Sequence, residues 1–222
     1  MELPATDAEI CTLARERLYS AVLSDLLDTL GYRNQAFRHD VRPIFPDAVV
    51  VGRAYTVLNA DLYEIKHDPY AEEIAAVDAL KPGDVMVVST GPSTRTCFWG
   101  ELLSTAAMVR GAHGAVIDGF VRDVRQITSM GFPVFATGFK PVDSAGRSAV
   151  VDRECTILAG DVTVRHGDLI FGDLDGLVAI PRVVERDVLR LALDKVSAED
   201  GLREALRGGM SLRQAFDTFK VL

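Results

Sequence analysis

The sequence predicts an α/β domain built on a parallel core sheet, and three observations carry that expectation. Between residues 85 and 137, short apolar runs rich in β-branched residues alternate with segments of helical spacing. A strand–helix–strand–helix–strand series requires crossovers, and crossovers make parallel neighbours. After Lys140 the pattern changes to short apolar runs separated by Gly-Asp and Asp-Gly pairs, which suits antiparallel hairpins. With 222 residues and no linker, low-complexity stretch or internal repeat, one domain over residues 1–222 is expected.

The elements follow in order. Thr6-Asp-Ala-Glu9 reads as a capping box, so a helix should run to about Arg17. A second helix starts near Ser20, runs through SAVLSDLLDTL and stops at Gly31. AVVVGRAYTVLNA (48–60) reads as one or two strands, and EEIAAVDAL (72–80) as a helix ended by Lys81-Pro82-Gly83. VMVVST (85–90) is a buried strand, and Gly91 to Trp99 a loop. ELLSTAAMVR (101–110) has apolar residues at helical spacing and Gly111 to stop it. AVID (115–118) is a strand, Asp118-Gly119 a turn, Asp123 to Met130 a short helix, and PVFAT (133–137) another strand. CTILAGDVTVRHGDLIFGDLDGLVAIP should form hairpins, with Asp175-Gly176 as a tight turn. Helical spacing returns from Val183 to Arg207, Gly208-Gly209 ends it, and SLRQAFDTF makes a last helix.

Composition excludes several function classes. Lys and Arg number 24 against 32 Asp and Glu, a net charge of −8 that repels a phosphate backbone, so no nucleic-acid partner is expected. Cys11, Cys97 and Cys155 are far apart and lack CxxC spacing, which argues against a disulfide framework or a zinc site. The start, MELPATDAEI, is acidic without an apolar core, and no apolar run is long enough for a bilayer. A cytoplasmic protein without a membrane partner is the expectation. His39, His67, His113 and His166 form no ligand spacing, Lys140 has no feature of a Schiff-base lysine, and no glycine-rich piece matches a P-loop or dinucleotide fingerprint.

Loops at the carboxyl ends of parallel strands build binding crevices. Gly100-Glu101-Leu102-Leu103 lies after one strand and its loop, and Asp118 to Asp123 after the neighbouring one, so the two should face each other. Gly100 admits close approach, and the free N–H groups of the following helical turn favour a small carboxylate. Arg122 offers a planar fork for a carboxylate or oxyanion. Asp123 and Glu101 are hard oxygen donors that, with waters, suit Mg²⁺. Structural roles account for each residue as well: Glu101 complements a helix dipole, Asp123 caps a helix, and Arg122 pairs with Asp118 or Asp123.

The stretch GELLSTAAMVRGAHGAVIDGFVRD resembles the signature of the RraA-like family. SDLLDTLGYRNQ, VGRAYTV, KPGDVMVV, GDLIFGDLDGLVAIP and LRGGMSLRQAFDTFKVL resemble further family segments in the same order. That family includes class II, divalent-metal-dependent aldolases acting on 4-hydroxy-4-methyl-2-oxoglutarate and 4-carboxy-4-hydroxy-2-oxoadipate. It also includes non-catalytic regulators of ribonuclease activity that act by protein contact.

The resemblance implies an α-β-β-α sandwich related to the swivelling phosphohistidine domain, in a homotrimer or hexamer with interfacial active sites. It implies that the Gly100–Leu103 turn binds the pyruvate carboxylate and that Arg122 holds a keto or carboxylate oxygen. Asp123 would ligate Mg²⁺ (or Mn²⁺), and Glu101 would reach the same ion through water. The chain departs from the aldolase pattern at Glu101, where some members have Asp, and at Gln126, where the pattern has an acid.

The expected activity is that of a carbon–carbon lyase cleaving a 4-hydroxy-2-oxo acid to pyruvate and a second oxo acid. Oxaloacetate decarboxylation is the expected side activity, because it passes through the same enolate, and a water held by Glu101 is the expected base. The alternatives are a regulator acting by protein contact, or an enzyme of the same scaffold on another 2-oxo acid.

Overall fold

Thr6 opens the first helix, α1 (Asp7–Arg17), with the capping box in place: its side chain accepts from the Glu9 amide, and the Glu9 carboxylate accepts from the Thr6 amide. This computed structural model describes residues 3–91 and 93–221. Met1 and Glu2 of the acidic start, position 92 of the 91–99 loop and Leu222 of the closing segment lie outside the described residues. Helix α2 (Ser20–Thr29) ends at Gly31, whose φ of +86° takes the left-handed turn.

The sheet elements are β1 (Arg42–Pro43), β2 (Val50–Asp61), β3 (Asp84–Ser89), β4 (Cys97–Trp99), β5 (Gly114–Val121), β6 (Val134–Phe139), β7 (Ser148–Arg153), β10 (Leu169–Asp173) and β11 (Gly176–Ile180). Helices α3 (Ala71–Asp78), α4 (Glu101–Val109) and α5 (Val124–Met130) lie between them. The strand path is β1-β6-β5-β3-β2-β10-β11, with β4 added to β5 and β7 to β2. The run β2-β3-β5-β6 is parallel, as the crossover helices require, and the later strands join antiparallel.

Ala36 bridges to Val178 of β11, and the Arg42 guanidinium of β1 donates to the Asp175 carbonyl at 2.5 Å. These contacts bring the two ends of the path together into a nearly closed barrel. The hairpin β8 (Ile157–Ala159) and β9 (Val162–Val164) seals its interior, where Val50, Val87, Val116, Phe135 and Ile170 are buried. Helices α1, α2 and α6 (Glu185–Arg207) cover one outer wall through Leu23, Leu27, Phe171 and Leu193. Helices α3, α4 and α5 cover the other through Met86, Ile117, Ile127 and Phe132. Two helical layers around two sheet walls make the expected α-β-β-α arrangement in one mixed α/β domain. Helix α7 (Leu212–Phe219) packs on α6, and among the described residues no helix is long and apolar enough to cross a membrane.

Three expectations need correction. Strand β5 does not stop at Asp118: it continues to Val121, so Asp118-Gly119 is strand and not a turn. The acid is tolerated there because Arg38 Nη2 and the Gly160 amide each reach its carboxylate at 2.8 Å. Gly119 is needed for space, since a Cβ would meet Thr90 Oγ1 at 2.5 Å. The 91–99 loop ends in a short strand, β4, because Cys97, Phe98 and Trp99 are all buried alongside β5. In the last hairpin Asp173 pairs with Gly176, so the two-residue turn is Leu174-Asp175, one position earlier than expected. Strand β7, which no periodicity marked, adds to the edge of β2.

Candidate active site

The carboxyl ends of β4 and β5 converge on one cavity of about 330 Å³. Gly100, Leu102, Leu103, Arg122 and Asp123 all line it, so the two segments expected to face each other do so. Trp99 fixes the turn from β4 into α4: its indole N–H donates to Ser104 Oγ at 2.8 Å, and that hydroxyl donates to the Gly100 carbonyl at 3.0 Å. Ser104 and Trp99 are buried, and Trp99 stacks on Phe132.

Gly100 is extended, at φ −153°, so its requirement is space and not conformation. A Cβ there would lie 2.8 Å from Asp123 Oδ2 and 3.3 Å from Arg122 Cγ. The Glu101 amide donates to Asp123 Oδ2 at 3.2 Å. The next first-turn amides, those of Leu102 and Leu103, have no acceptor within the helix. They belong to residues lining the cavity, at the positive end of the α4 dipole, where an anion is favoured.

Asp123 stands at the N-cap position of α5, but its side chain makes no capping hydrogen bond. It adopts the left-handed region, φ 59° and ψ 32°, a conformation that costs an L residue of order 1–3 kcal/mol and that Asp tolerates better than most. The result is a carboxylate turned toward Gly100 and away from its own helix. Arg122 does not pair with Asp118, which belongs to Arg38. Its Nη2 lies 3.3 Å from Asp143 Oδ1 and its Nε 3.8 Å from Asp123 Oδ2. All three side chains are part-exposed, which leaves the guanidinium accessible to a ligand. A more open hollow on the far side of Arg122 and Asp123 is lined by Phe139 and Lys140. The Lys140 ammonium is engaged by the Thr94 carbonyl at 2.6 Å.

The Glu101 carboxylate accepts from Thr105 Oγ1 at 2.8 Å, one turn along α4, and is not among the groups lining the cavity. Gln126 is exposed on α5, also outside the lining. Other acids line the cavity instead. Glu73 and Asp143 lie on its wall with Tyr70 and Ser144. The Tyr70 hydroxyl donates to Asp143 Oδ2, and this bond raises the tyrosine pKa. Ser144 Oγ donates to Glu73 Oε2 at 3.0 Å. Burial pushes the Glu73 carboxyl up to about 7. Cys97 also lines the cavity, but burial raises its thiol pKa and its Sγ–H points to the Lys140 carbonyl, so it is no thiolate nucleophile.

The sequence held one signal for Glu73. Positions 73, 76, 77 and 80 have helical spacing along α3 and the turn that follows it, and the last three are buried Ala76, Val77 and Leu80. A carboxylate on that apolar stripe needs a reason. Tyr70, Asp143 and Ser144 gave no comparable signal, because they sit outside regular elements.

Among the described residues no three His, Cys, Asp or Glu side chains gather as a closed metal cage. One carboxylate with open coordination, Asp123, fits a hard cation that keeps most of its waters.

Known proteins place the chain. The model of the family described as Aldolase/RraA matches residues 20–179. A protein of Halalkalibacterium halodurans named "Putative 4-hydroxy-4-methyl-2-oxoglutarate aldolase" is 30% identical over 90% of both chains. Protein DlpA of Legionella pneumophila is 28% identical over 90% of this chain, which spans only 32% of that relative's length. The solved structure of Streptomyces coelicolor RraAS2, described as an unusual member of the RNase ES inhibitor RraA protein family, superposes with a TM-score of 0.77. It shares 27% identity over 91% of this chain and 98% of that one. With the family model matched across most of the barrel and the same architecture in a solved relative, this chain belongs to the RraA-like, Aldolase/RraA family.

Proposed function

We propose that this protein is a divalent-metal-dependent class II aldolase. It cleaves a 4-hydroxy-2-oxo acid of the 4-hydroxy-4-methyl-2-oxoglutarate type to pyruvate and a second oxo acid, and decarboxylates oxaloacetate as a side activity. One observation carries the reading: Arg122, Asp123 and the open first-turn amides of α4 converge on a single cavity around Gly100. A family likeness to relatives named as aldolases supports it.

The substrate carboxylate binds at the Leu102 and Leu103 amides, where the helix terminus favours negative charge. Arg122 donates through its planar fork to the 2-oxo group and stabilises the oxyanion that forms as the C3–C4 bond breaks. A donor of this kind contributes roughly 3–4 kcal/mol to transition-state stabilisation. Asp123 would hold Mg²⁺ or Mn²⁺ directly, and Glu101, the second acid at this terminus, would reach it through water. Bound there, the cation supplies Lewis-acid polarisation of the 2-oxo group. Leu103, Phe98 and Trp99 on the same wall limit water access around the developing charge.

A regulator acting only through protein contact has no use for a strained aspartate and a part-exposed guanidinium lining a cavity. Pyruvate release from a panel of 2-oxo acids, with and without Mg²⁺, tests the proposal.

A further inference from the structure

Glu73 and Asp143 line the cavity without a part in the reaction proposed above, and of the two Glu73 is the less engaged. Glu73 stands in the first turn of α3, half-buried, while its neighbour Glu72 turns to Arg153 of β7 at 3.3 Å. Two further acids share the cavity with it: Asp143 is more committed, and Asp123 is the one proposed to hold the cation. Asp143 has both oxygens engaged: Oδ1 by the Ser144 amide at 2.9 Å and by Arg122, and Oδ2 by the Tyr70 hydroxyl. Asp123 Oδ2 is occupied by the Glu101 amide and lies near Arg122. Glu73 is held at one oxygen only, Oε2, by Ser144 Oγ. Among the described residues no hydrogen bond reaches its Oε1 and no cation lies within ion-pair distance.

We propose that Glu73 is the proton-transfer group of this site, taking the C4 hydroxyl proton of a 4-hydroxy-2-oxo acid and returning it to C3 of the pyruvate enolate. The inference rests on the aldolase reading above and replaces a water held by Glu101 as the base. As the Glu73 carboxylate takes the C4 hydroxyl proton, the C4–O bond becomes a carbonyl and the C3–C4 pair moves into the 2-oxo acid fragment as its enolate. Glu73, now a carboxylic acid, gives the same proton to C3, which becomes the pyruvate methyl group. No external acid, base or redox partner is consumed, and the two positions served are adjacent carbons, within the swing of one side chain.

The surroundings suit that double role. Burial raises the carboxyl, the charge of Asp143 raises it further, and the Ser144 hydroxyl and Arg122 oppose them. A group that changes charge near neutral pH can act as base and then as acid in one turnover. Around α3, Arg153 is taken by Glu72 and Arg110 of α4 by Asp78, leaving Arg122 as the cation acting on Glu73. The Ser144 hydroxyl fixes one oxygen and leaves the other to the cavity. Glu101, by contrast, spends a carboxylate oxygen on Thr105 outside the cavity lining.

Three reactions on one preparation of the Mg²⁺-loaded full chain test this. Glu73→Gln preserves size and can still accept from Ser144. It should lower pyruvate release from 4-hydroxy-4-methyl-2-oxoglutarate about 100-fold or more. Exchange of the pyruvate methyl protons in D₂O, followed by ¹H NMR, should fall by a similar factor. Loss of CO₂ from oxaloacetate needs no base, so CO₂ release in the first turnover should slow less than cleavage does, while C3 protonation of the resulting enolate slows together with the exchange. The wild-type limb of kcat/KM that titrates near neutral pH should vanish in the Gln variant and persist in Glu73→Asp at a reduced rate. Cleavage and exchange that stay within threefold of wild type overturn the proposal, as does a Glu73→Gln variant that loses pyruvate binding along with all three reactions, which would make Glu73 structural. If Glu73→Gln does not fold, a Glu73→Asp variant that cleaves at the wild-type rate without an ionising limb overturns it too. A wild type that releases pyruvate from neither substrate sinks the aldolase reading and Glu73 with it, whereas an active wild type matched by its Gln variant sinks Glu73 alone.

Discussion

Asp123 Oδ2 lies 2.8 Å from the point that a β-carbon on Gly100 would occupy. The glycine is therefore a space requirement imposed by a carboxylate 23 positions away, and the left-handed backbone of Asp123 is what aims that carboxylate. Gly100→Ala should push Asp123 and Arg122 aside without disturbing a turn whose backbone is already extended. The expected loss in pyruvate release is at least about tenfold, from misplacement of both groups. Tm should move by only a few degrees, because the Asp123 and Arg122 side chains that must give way are part-exposed. Kinetics and a melting curve on the same sample decide between this and a glycine with no role in the site.

Arg122 reaches Asp143 and Asp123 across 3.3 and 3.8 Å with part-exposed side chains, so its ion pairs contribute below about 1 kcal/mol. Arg122→Lys keeps the charge and loses the fork. A drop in kcat/KM of about 100-fold is expected, corresponding to roughly 3 kcal/mol of transition-state stabilisation, with Tm nearly unchanged. An early-melting variant with wild-type kinetic constants would make Arg122 a structural residue.

Much of the fold was legible because its signals are local. The β3-α4-β5-α5-β6 series shows in apolar runs punctuated by Gly111 and Gly131, and the Thr6–Glu9 capping box is four residues long. Asp118 was misread as a turn because its partner, Arg38, is 80 residues distant and periodicity cannot register a neutralising ion pair. Gly100, Arg122 and Asp123 were visible as a loop pair at strand ends. Asp143 and Ser144 were not, since only the tertiary fold brings the chain after β6 against α3. Glu73 lay between these cases, with a polar residue on an apolar stripe as its one trace.

The raised Glu73 carboxyl has a consequence for stability. Its ordinary value is 4.5 and its folded value about 7, so the folded protein holds the proton more tightly than the unfolded chain. The corresponding stability is present in full below pH 4.5 and is lost as pH rises through 7. Discounted for partial exposure, the loss is roughly 2 kcal/mol, worth about 5 °C in a protein of this size. Glu73→Gln should therefore melt close to wild type at pH 4.5 and about 5 °C higher at pH 8. A difference between the two that does not change with pH would contradict the buried, protonated carboxyl.

Leu102 and Val109 are 78% and 84% exposed, seven residues apart on the outer face of α4. Leu102 also lines the cavity, so a neighbouring chain seated on this face would border the site. A trimer or hexamer is the proposed assembly, and light scattering at micromolar concentration should give a mass of three or six chains. Leu102→Glu should shift that mass toward the monomer, and a wild-type monomer at that concentration would end the proposal of a shared site.

The most direct measurement is pyruvate release from 4-hydroxy-4-methyl-2-oxoglutarate by wild type and Asp123→Asn, each after EDTA treatment and again after Mg²⁺ or Mn²⁺ is restored. Asparagine keeps the acceptor for the Glu101 amide and removes the charge that would hold the ion. Wild-type turnover should disappear with EDTA and return with either cation, while Asp123→Asn should stay at least about 100-fold lower with both, at an unchanged Tm. Equal turnover with and without the cation, or an Asn variant restored to wild-type rates by Mg²⁺, would contradict metal-assisted cleavage at Asp123.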